Sequence, residues 1–405
     1  GQRMGWHDAF DYGSASAVFD EFARLTAFEN EDDRDLNLEA LQGISAQAYD
    51  DLPPFQWPQR GKFDAARQTR FFANGQFYTP ERKARFVAVQ PPVSPAKTNG
   101  AEMRLNTGRV RDQWHTITRT GKSARLSAHM SEPYCEIHGA DAARLGIADA
   151  DLISLKARSK SVLVRAMISH DQQEGSVFVP MHWNDQYASA ARVDTLVAPR
   201  TDPISGQPAL KAATVSVEKA AMAAHGFLIT RDQPDVAGLD YWALAKADGG
   251  WRLEFALRKL PEAIEAFLAR LVRADATALS ASDGHRGFWR AAQFERDGLL
   301  GAAYLSVSPV EVSRSWVSGL LASSFATPKD RWRVLAGRPA ADMPDKGAIV
   351  CSCMSVGVND IAGAVRAGCH SVDAVGRATR AGTNCGSCKA EITEIIHAHR
   401  LIAAE

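Results

Sequence analysis

Four cysteines near the end of the chain lie in two close pairs. They occur in the stretches CSCMSVGVNDIAGAVRAG and AGTNCGSCKAEI, and they are Cys351, Cys353, Cys385 and Cys388. The spacing is C-x-C, then 31 residues, then C-x2-C. Thiolates are metal ligands, and each pair comes shortly before a predicted helix whose first backbone N–H groups are free to donate to sulfur. Glycines at positions 357, 382 and 386 allow the backbone to approach closely.

Three interpretations of these cysteines are open from the residues alone. A zinc ion accepts four thiolates, although structural zinc sites more often use two C-x2-C knuckles. The one-residue gap in the first pair favours an iron–sulfur cluster, whose sulfurs accept hydrogen bonds from helix N-termini. The third interpretation is four buried cysteines that bind nothing.

The cysteine pattern resembles the bacterioferritin-associated ferredoxin family of [2Fe–2S] domains. That family has the same order of cysteines, a similar gap and the same helical setting. AGTNCGSC resembles the form that this motif takes when it is appended to assimilatory nitrate and nitrite reductases. The resemblance implies that all four paired cysteines are cluster ligands. Cys369 and Cys135 match no ligand position, and we expect both to be packed thiols.

A second chemically informative stretch is NTGRVRDQWHTITRTGKSAR, residues 106–125. It has five basic side chains against one acid, together with five hydroxyls and two glycines. Bases, hydroxyls and glycine backbone suit a phosphate-bearing ligand. Trp114 and His115 can stack on a planar ring or hydrogen-bond to it. Composition alone leaves two alternatives open, a solvated basic loop and a patch for single-stranded RNA.

This stretch closely resembles the start of the dinucleotide-binding domain of the molybdopterin oxidoreductases, in their assimilatory nitrate reductase subgroup. VPMHWND and DPISGQPALKAATVSV resemble further signatures of that domain, and FFANGQFYTPERKARF resembles the segment before it. The resemblance implies a double-psi β-barrel that binds a molybdopterin guanine dinucleotide. By position, the implied cofactor contacts are Thr107, Gly108, Arg109, Trp114, His115, Thr116, Asn184, Gln207 and Lys211.

The elements that must position these motifs divide the chain into four predicted parts. Residues 1–99 are the tail of a catalytic α/β portion, and 100–220 are the β-barrel. Residues 221–345 are an α+β region of unknown role, and 346–405 are a small all-α [2Fe–2S] domain. The fold class is therefore multidomain α+β. The Pro/Gly-rich segment 337–347 predicts a linker, so we expect the last domain to be separate from the barrel.

Local signals predict individual elements. Short runs rich in β-branched residues predict the barrel strands EMRLNTG, DLISLKA, SVLVRAMIS and GSVFVPMHW. Ser14 or Ser16 is expected to cap a first helix. Asn74-Gly75 and Asp297-Gly298 are expected to be the turns of two hairpins.

Helix signals predict boundaries of three further helices. Pro261 lies in the first turn of the amphipathic helix predicted for PEAIEAFLARLVRA. Asn359 and Ser371 are the expected caps of two helices in the last domain, and Gly368 and Gly382 are their expected stops.

The composition is that of an ordinary globular protein, with 405 residues, 45% hydrophobic residues and a formal net charge of zero. Zero net charge argues against a nucleic-acid partner. No apolar run is long enough to cross a membrane, and no leader is visible. Four of the six cysteines cluster, which indicates metal ligation in a reducing cytoplasm. The sequence begins with GQRMGWHDAF, in the middle of a sequence pattern, so we expect a preceding part that is absent here.

The resemblance implies an enzyme that reduces nitrate to nitrite at a molybdenum bis(molybdopterin guanine dinucleotide), with the [2Fe–2S] cluster relaying electrons. It also places the molybdenum ligand, and a [4Fe–4S] cluster, in the preceding part, so we expect the chain alone to be inactive. The expected partners are nitrate and an electron donor such as ferredoxin, flavodoxin or a NADH-linked flavoprotein, without nucleic acid or membrane. Two alternatives stay open: a stand-alone iron–sulfur electron-transfer module, and a family member that acts on formate or a sulfoxide.

Overall fold

The computed structural model describes residues 1–89, 102–211, 213–273, 278–340 and 343–402. The chain divides into two units, Gly1–Ser94 and Pro95–Glu405. The α-helices are α1 (Ala15–Ala27), α2 (Ala46–Asp50), α3 (Ala124–Ser127), α4 (Gly139–Arg144), α5 (Ile264–Leu271), α6 (Arg314–Gly319), α7 (Pro328–Ala336), α8 (Val358–Arg366), α9 (Val372–Thr379) and α10 (Lys389–Ile402). Within the described ranges, no helix has the length and apolar character needed to cross a membrane.

The strands all lie in the second unit. They are β1 (Glu102–Gly108), β2 (Tyr134–Ile137), β3 (Leu152–Ala157), β4 (Lys160–Ile168), β5 (Ser176–Pro180), β6 (Ala213–Lys219), β7 (Ala224–Thr230), β8 (Tyr241–Ala247), β9 (Gly250–Leu257), β10 (Leu279–Asp283), β11 (Phe288–Glu295), β12 (Gly298–Ser306), β13 (Ile349–Cys351) and β14 (Val356–Gly357). Short 3₁₀ helices span Gln2–Met4, Asp8–Phe10, Glu39–Leu41, Thr120–Lys122, Val193–Leu196 and Leu320–Ala322.

The first unit is built around a small core under α1. Ser14 caps this helix as predicted, because its hydroxyl accepts a hydrogen bond from the backbone N–H of Ala17 at 3.2 Å. Ala23 of α1 packs against Leu38 and Leu41, and all three side chains are buried. This core is far smaller than those of the second unit.

The hairpin predicted at Asn74-Gly75 is wrong. A turn does form there, since the Gly75 N–H donates to the Phe72 carbonyl at 2.9 Å. The described residues on either side, 70–89, form no strand. Phe72 stacks on Phe77 instead, with ring centroids 4.8 Å apart. Local aromatic packing therefore replaces the expected ladder of backbone hydrogen bonds.

Six strands close into a barrel in the order β1-β5-β2-β4-β3-β6. The pairs β1–β5 and β2–β4 are parallel, and the remaining neighbours are antiparallel. Parallel neighbours require crossover connections, and two such pairs in a closed six-stranded barrel give the double-psi arrangement. Side chains alternate along each strand, so Met103 and Leu105 of β1 point into the core. The predicted double-psi β-barrel is confirmed.

The region after the barrel is a six-stranded antiparallel sheet with helices on both faces. Its strand order is β10-β11-β12-β7-β9-β8. Alternation along β7 sends Phe227 and Ile229 to a core shared with α6 and α7, and Leu228 to a core shared with α5. The α+β prediction for this region is confirmed.

Two boundaries in this region differ slightly from the predictions. Helix α5 begins at Ile264, so Pro261 precedes the helix rather than lying in its first turn. The β11–β12 hairpin turns at Arg296 and Asp297, and Gly298 is already the first residue of β12. The turn is thus one residue earlier than expected.

Residues 349–402 are mostly helical but not all-α. Strands β13 and β14 form a two-stranded ribbon, and α8, α9 and α10 follow it around one core. Gly357, and not the expected Asn359, is the N-cap of α8. The reason is that the Asp360 carboxylate accepts a hydrogen bond from the Gly357 N–H at 3.0 Å, which caps the helix without a hydroxyl or amide side chain.

The next helix confirms its predicted start but not its predicted stop. The Ser371 hydroxyl caps α9 by accepting from the Ala374 N–H. Arg380, at φ 68°, ends the helix two residues before the expected Gly382. Gly382 itself has φ 74° and shapes the turn before the second cysteine pair. For α8, Gly368 at φ 98° follows the last helical turn as predicted.

Candidate functional site

The residues predicted to contact a dinucleotide come together at one end of the barrel. Strands β1 and β5 are parallel neighbours, with Gly108 paired to Pro180, so the loops that follow both strands start at the same edge. Strand β6 runs antiparallel to β1, with Ala213 opposite Leu105, so the segment that enters β6 reaches this edge too. The nine predicted residues lie on these three segments.

His182, which is not among the nine predicted contacts, holds the loop after β1 in place. Its Nε2 accepts the backbone N–H of Val110 at 2.9 Å, and its Nδ1 lies 2.7 Å from the His115 carbonyl. Both contacts fit a neutral imidazole that carries its proton on Nδ1. Burial lowers the pKa of His182, which favours this neutral form. The signal was present in the VPMHWND motif, where His182 is the histidine.

Gly108 lies where a side chain does not fit. A Cβ there would come within 2.8 Å of the Phe178 ring and 3.9 Å of Lys211 Nζ. Thr107 is buried, and its hydroxyl donates to the Leu210 carbonyl at 3.1 Å. These contacts bring the Lys211 ammonium beside the exposed end of β1, next to the exposed Arg109.

The other predicted residues are either exposed side chains or side chains that join two loops by a hydrogen bond. Trp114 is 45% exposed, and the Arg119 guanidinium lies 4.8 Å from its ring centroid. Asn184 uses its amide to donate to the Thr116 carbonyl at 2.9 Å, so it joins the β5 loop to the β1 loop. Gln207 is exposed in a turn closed by its carbonyl and the Asp202 N–H. The barrel end therefore offers cations, an aromatic face and free backbone, the chemistry that a phosphate-bearing ring ligand needs.

The four paired cysteines converge in the last domain. Cys353 Sγ lies 3.4 Å from Cys385 Sγ, and the Cys388 thiol faces that of Cys351. Cys351 and Cys388 are buried, whereas Cys385 is exposed and Cys353 is partly so. Burial and the neighbouring Cys351 thiol raise the pKa of the free Cys388 thiol to about 11, and hydrogen bonds from Ser387 lower that of Cys385.

The arrangement of these thiols fits a binuclear cluster. Among the described residues, no three His, Cys, Asp or Glu side chains gather around one point in the way that a single metal ion requires. The thiols form two facing pairs, and four thiolates are the number of ligands that a [2Fe–2S] cluster takes. Cys369 and Cys135 stand apart: Cys369 packs half-buried against the domain core, and Cys135 is fully buried in the barrel.

The cluster domain contacts the barrel directly, contrary to the expectation of a separate domain. Arg111, two residues beyond Arg109, donates to the Val350 carbonyl at 2.6 Å and to Glu391 at 3.0 Å. The Ser352 hydroxyl, between the first two cysteines, donates to Asp112 at 2.8 Å. We call the group formed by Arg111, Asp112, His129, Ser352 and Glu391 the barrel–cluster contact.

His129 is the member of the barrel–cluster contact that lies near both of its carboxylates, Asp112 and Glu391. Its Nδ1 lies 3.2 Å from Asp112 and its Nε2 3.4 Å from Glu391, so it forms ion pairs with both carboxylates. Burial opposes the charged imidazole, but these carboxylates raise the pKa of His129 above its ordinary value. Burial also favours neutral Asp112, yet the nearby His129 imidazole and hydrogen bonds from Ser352 and Arg111 hold the pKa of Asp112 well below its ordinary value.

Comparison with known proteins is consistent with this geometry. Residues 103–214 match the family model of the molydopterin dinucleotide binding domain, and residues 349–398 match that of the BFD-like [2Fe-2S] binding domain. The first match covers the barrel and the second covers the four cysteines. The chain therefore carries a molydopterin dinucleotide-binding domain and a [2Fe–2S]-binding domain, whose cofactors are a molybdenum molybdopterin dinucleotide and a [2Fe–2S] cluster.

The relatives make the comparison more specific. A nitrate reductase from Klebsiella oxytoca is 30% identical over 398 residues, which is 98% of this chain and 45% of the relative. The assimilatory nitrate reductase catalytic subunit of Bacillus subtilis is 30% identical over 51% of this chain and 28% of its own length. Formate dehydrogenase H of Escherichia coli is 30% identical over 53% of this chain and 28% of its own length. The chain spans less than half the length of each, and its two domains fit the C-terminal portion of a nitrate reductase.

The barrel–cluster contact predicts how the last domain is retained. Arg111→Ala removes charge-assisted hydrogen bonds to Val350 and Glu391, each worth about 1.5–3 kcal/mol. We expect trypsin to cut the segment 337–347 about tenfold faster or more, because the domain leaves the barrel more often. Arg119→Ala is the matched control, since Arg119 lies in the same loop and is not part of the contact. Equal cleavage rates in both variants and the parent would contradict the role given to Arg111.

Proposed function

We propose that this chain is the part of a molybdenum-dependent nitrate reductase that binds the molybdopterin guanine dinucleotide and passes electrons to it from a [2Fe–2S] cluster. The observation that carries the proposal is the barrel–cluster contact. Asp112 lies between the predicted cofactor residues 107–109 and 114–116, and it accepts a hydrogen bond from the hydroxyl of Ser352, between Cys351 and Cys353. One short loop thus reaches both cofactor sites, which is the geometry that a relay requires.

The burial of the cysteines supports a direction for this relay. The buried ligands Cys351 and Cys388 lie on the side of the Arg111 guanidinium, and Cys353 and Cys385 lie toward solvent. An electron donor can approach the exposed side, where Cys353 and Cys385 lie, while the side with the buried Cys351 and Cys388 is held against the barrel. The donor would be a ferredoxin, a flavodoxin or a NADH-linked flavoprotein, in the cytoplasm.

The residues of this chain would bind and orient the cofactors. Arg109 and Lys211 place two cations beside the Gly108 backbone, where phosphates of the dinucleotide would be neutralised. Thr107, Asn184 and His182 fix the loops that carry them. When bound, the molybdopterin dinucleotide supplies the molybdenum at which nitrate gives up an oxygen atom, and the cluster supplies single electrons.

A second candidate is another molybdopterin oxidoreductase, and one that acts on formate has support among the relatives. Formate dehydrogenase H resembles about half of this chain at 30% identity. The Klebsiella oxytoca nitrate reductase matches 98% of the chain, a span that includes the cluster domain. This broader match favours nitrate as the substrate. The two substrates are separated by measuring nitrate reduction and formate oxidation by the same full-length preparation.

The relay is tested by removing the exposed cluster ligand. In the full-length subunit, Cys385→Ser should abolish or strongly reduce nitrate reduction with the natural protein donor, because the cluster is lost. Reduction with a small artificial dye that reaches the molybdenum site directly should be retained. Cys369→Ser is the matched control in the same domain, and it should keep both activities. Loss of both activities in Cys385→Ser, with pterin still bound, would argue against a peripheral relay, and retention of both would show that electrons enter elsewhere.

The cofactor assignment is tested by pterin content. Arg109→Ala and Lys211→Ala each remove one charge-assisted contact, worth about 1.5–3 kcal/mol, so the full-length subunit should retain less dinucleotide after gel filtration. Lys156→Ala is a suitable control, because Lys156 is an exposed barrel residue that pairs with Glu218 on β6. The measurement is pterin per chain. Unchanged pterin content in both variants would remove these residues from the site.

A further inference from the structure

A cavity of about 550 Å³ lies where the barrel, the six-stranded sheet and the start of the cluster domain meet. Its walls come from α3 of the barrel, the β8–β9 hairpin, α6 and residues 344–355. Neither the nine predicted dinucleotide contacts nor the four cysteines line it. The volume is in the range of small-molecule sites.

The wall of this cavity has an excess of positive charge. Its basic side chains are Arg125, Lys246, Arg252, Arg314 and Lys346. The acids on the wall are Asp248 and Asp345, and Glu254 lies behind two of the arginines. Asp345 accepts hydrogen bonds from the Ser313 hydroxyl and the Gly347 N–H, so neutral groups rather than these cations satisfy it. Even with Glu254 included, five basic groups face three acidic ones.

Arg252 is a buried cation with a weak ionic partner. It is 9% exposed, and its Nε is buried with no hydrogen-bond partner in the part of the chain that the structure describes. Glu254 is shared unequally: Arg314 holds both of its oxygens, at 2.9 and 3.0 Å, whereas Arg252 reaches one of them at 3.3 Å. Burial lowers the pKa of Arg252, and the Arg314 charge adds to this effect against the attraction of Glu254. A buried guanidinium held this weakly is costly unless another anion is present.

A second polar group on the same wall also lacks a partner. The Ser318 hydroxyl, on α6, is buried and makes no hydrogen bond among the described residues. Native proteins leave few buried polar atoms unsatisfied, and those that remain often mark a ligand or water that is not part of the chain. Both orphan groups line one cavity, and that cavity has the charge that an anion needs.

We propose that this cavity binds an oxyanion, either a free inorganic ion such as phosphate or nitrate or the phosphate group of a nucleotide. The planar guanidinium groups of Arg252 and Arg314 present donors that suit the oxygens of such a ligand. Lys246, whose ammonium lies 3.6 Å from the Trp251 ring centroid, and Arg125 add charge at the rim. The inference rests on the cavity alone and does not depend on the proposed nitrate reductase activity.

Occupancy of the cavity would also affect the cluster domain. Ser352, which donates to Asp112 in the barrel–cluster contact, lines the cavity together with Ile349 of β13. An anion bound between the arginines and this segment would tie the sheet to the cluster domain. Ligand binding to the folded state alone raises the free energy of unfolding, so the bound form should be the more heat-stable one.

The test compares anions on the full-length protein. Sodium phosphate, sodium nitrate and adenosine monophosphate are titrated against sodium chloride at equal ionic strength, by calorimetry and thermal unfolding. The variants are Arg252→Gln and Lys246→Ala, and Arg258→Ala is the control, since Arg258 is exposed and lies outside the cavity. In Arg252→Gln, Arg314 still holds both oxygens of Glu254, so the carboxylate is not left unpaired.

We expect phosphate and nitrate to raise the unfolding temperature above that in chloride, and phosphate to bind about tenfold more weakly to each variant. The Arg258→Ala control should bind as the parent does. Adenosine monophosphate binding tighter than phosphate would identify a nucleotide as the source of the oxyanion, and weaker or equal binding would identify a free ion. Binding that is no stronger than chloride, or that is unchanged in both variants, would overturn the proposal. If Arg252→Gln does not fold, Lys246→Ala decides the result.

Discussion

The contact that the functional arrangement depends on is the ion pair between Arg111 and Asp112, with its partners in the cluster domain. Arg111 is largely buried between two carboxylates and the Val350 carbonyl, and Asp112 accepts from it and from Ser352. Breaking one partner of such a network leaves an uncompensated buried charge, so the network holds as a unit. This network holds the first cysteine pair against the loop that follows β1.

The barrel topology explains why that loop is available. Because β1 and β5 are parallel neighbours, two long loops leave the same edge, and a β-hairpin could not supply both. His182 on one loop bridges two backbone groups of the other. The result is a pre-formed surface with exposed cations and an aromatic ring, while the charged face of Arg111 and Asp112 is directed to the cluster domain. The loop that contacts the cluster domain is therefore the same loop that carries most of the predicted dinucleotide contacts, and this agrees with its high density of charge and hydroxyls.

The sequence predicted many of the local structural elements but missed contacts between residues that are far apart in the chain. The cysteine spacing, the strands of the barrel and the cap at Ser371 are set by neighbouring residues, and the structure agrees with them. Arg111 and Glu391 are 280 positions apart in the chain, and no periodicity of the sequence indicates that they form an ion pair. The cap of α8 was missed because Asp360, three residues on, satisfies the Gly357 backbone. The predicted hairpin at Asn74 is wrong because the described residues on either side of the turn form no strand.

The central claim is that the cluster domain packs on the loop that follows β1 of the barrel. Hydrogen–deuterium exchange of a peptide covering 109–116 tests it most directly, in the whole protein and in one truncated after residue 340. The account predicts faster exchange of this peptide in the truncated protein, with no change in a peptide covering β3 and β4, which reports that the barrel is still folded. Equal exchange of the 109–116 peptide in the two proteins, with the barrel folded in both, would contradict the account.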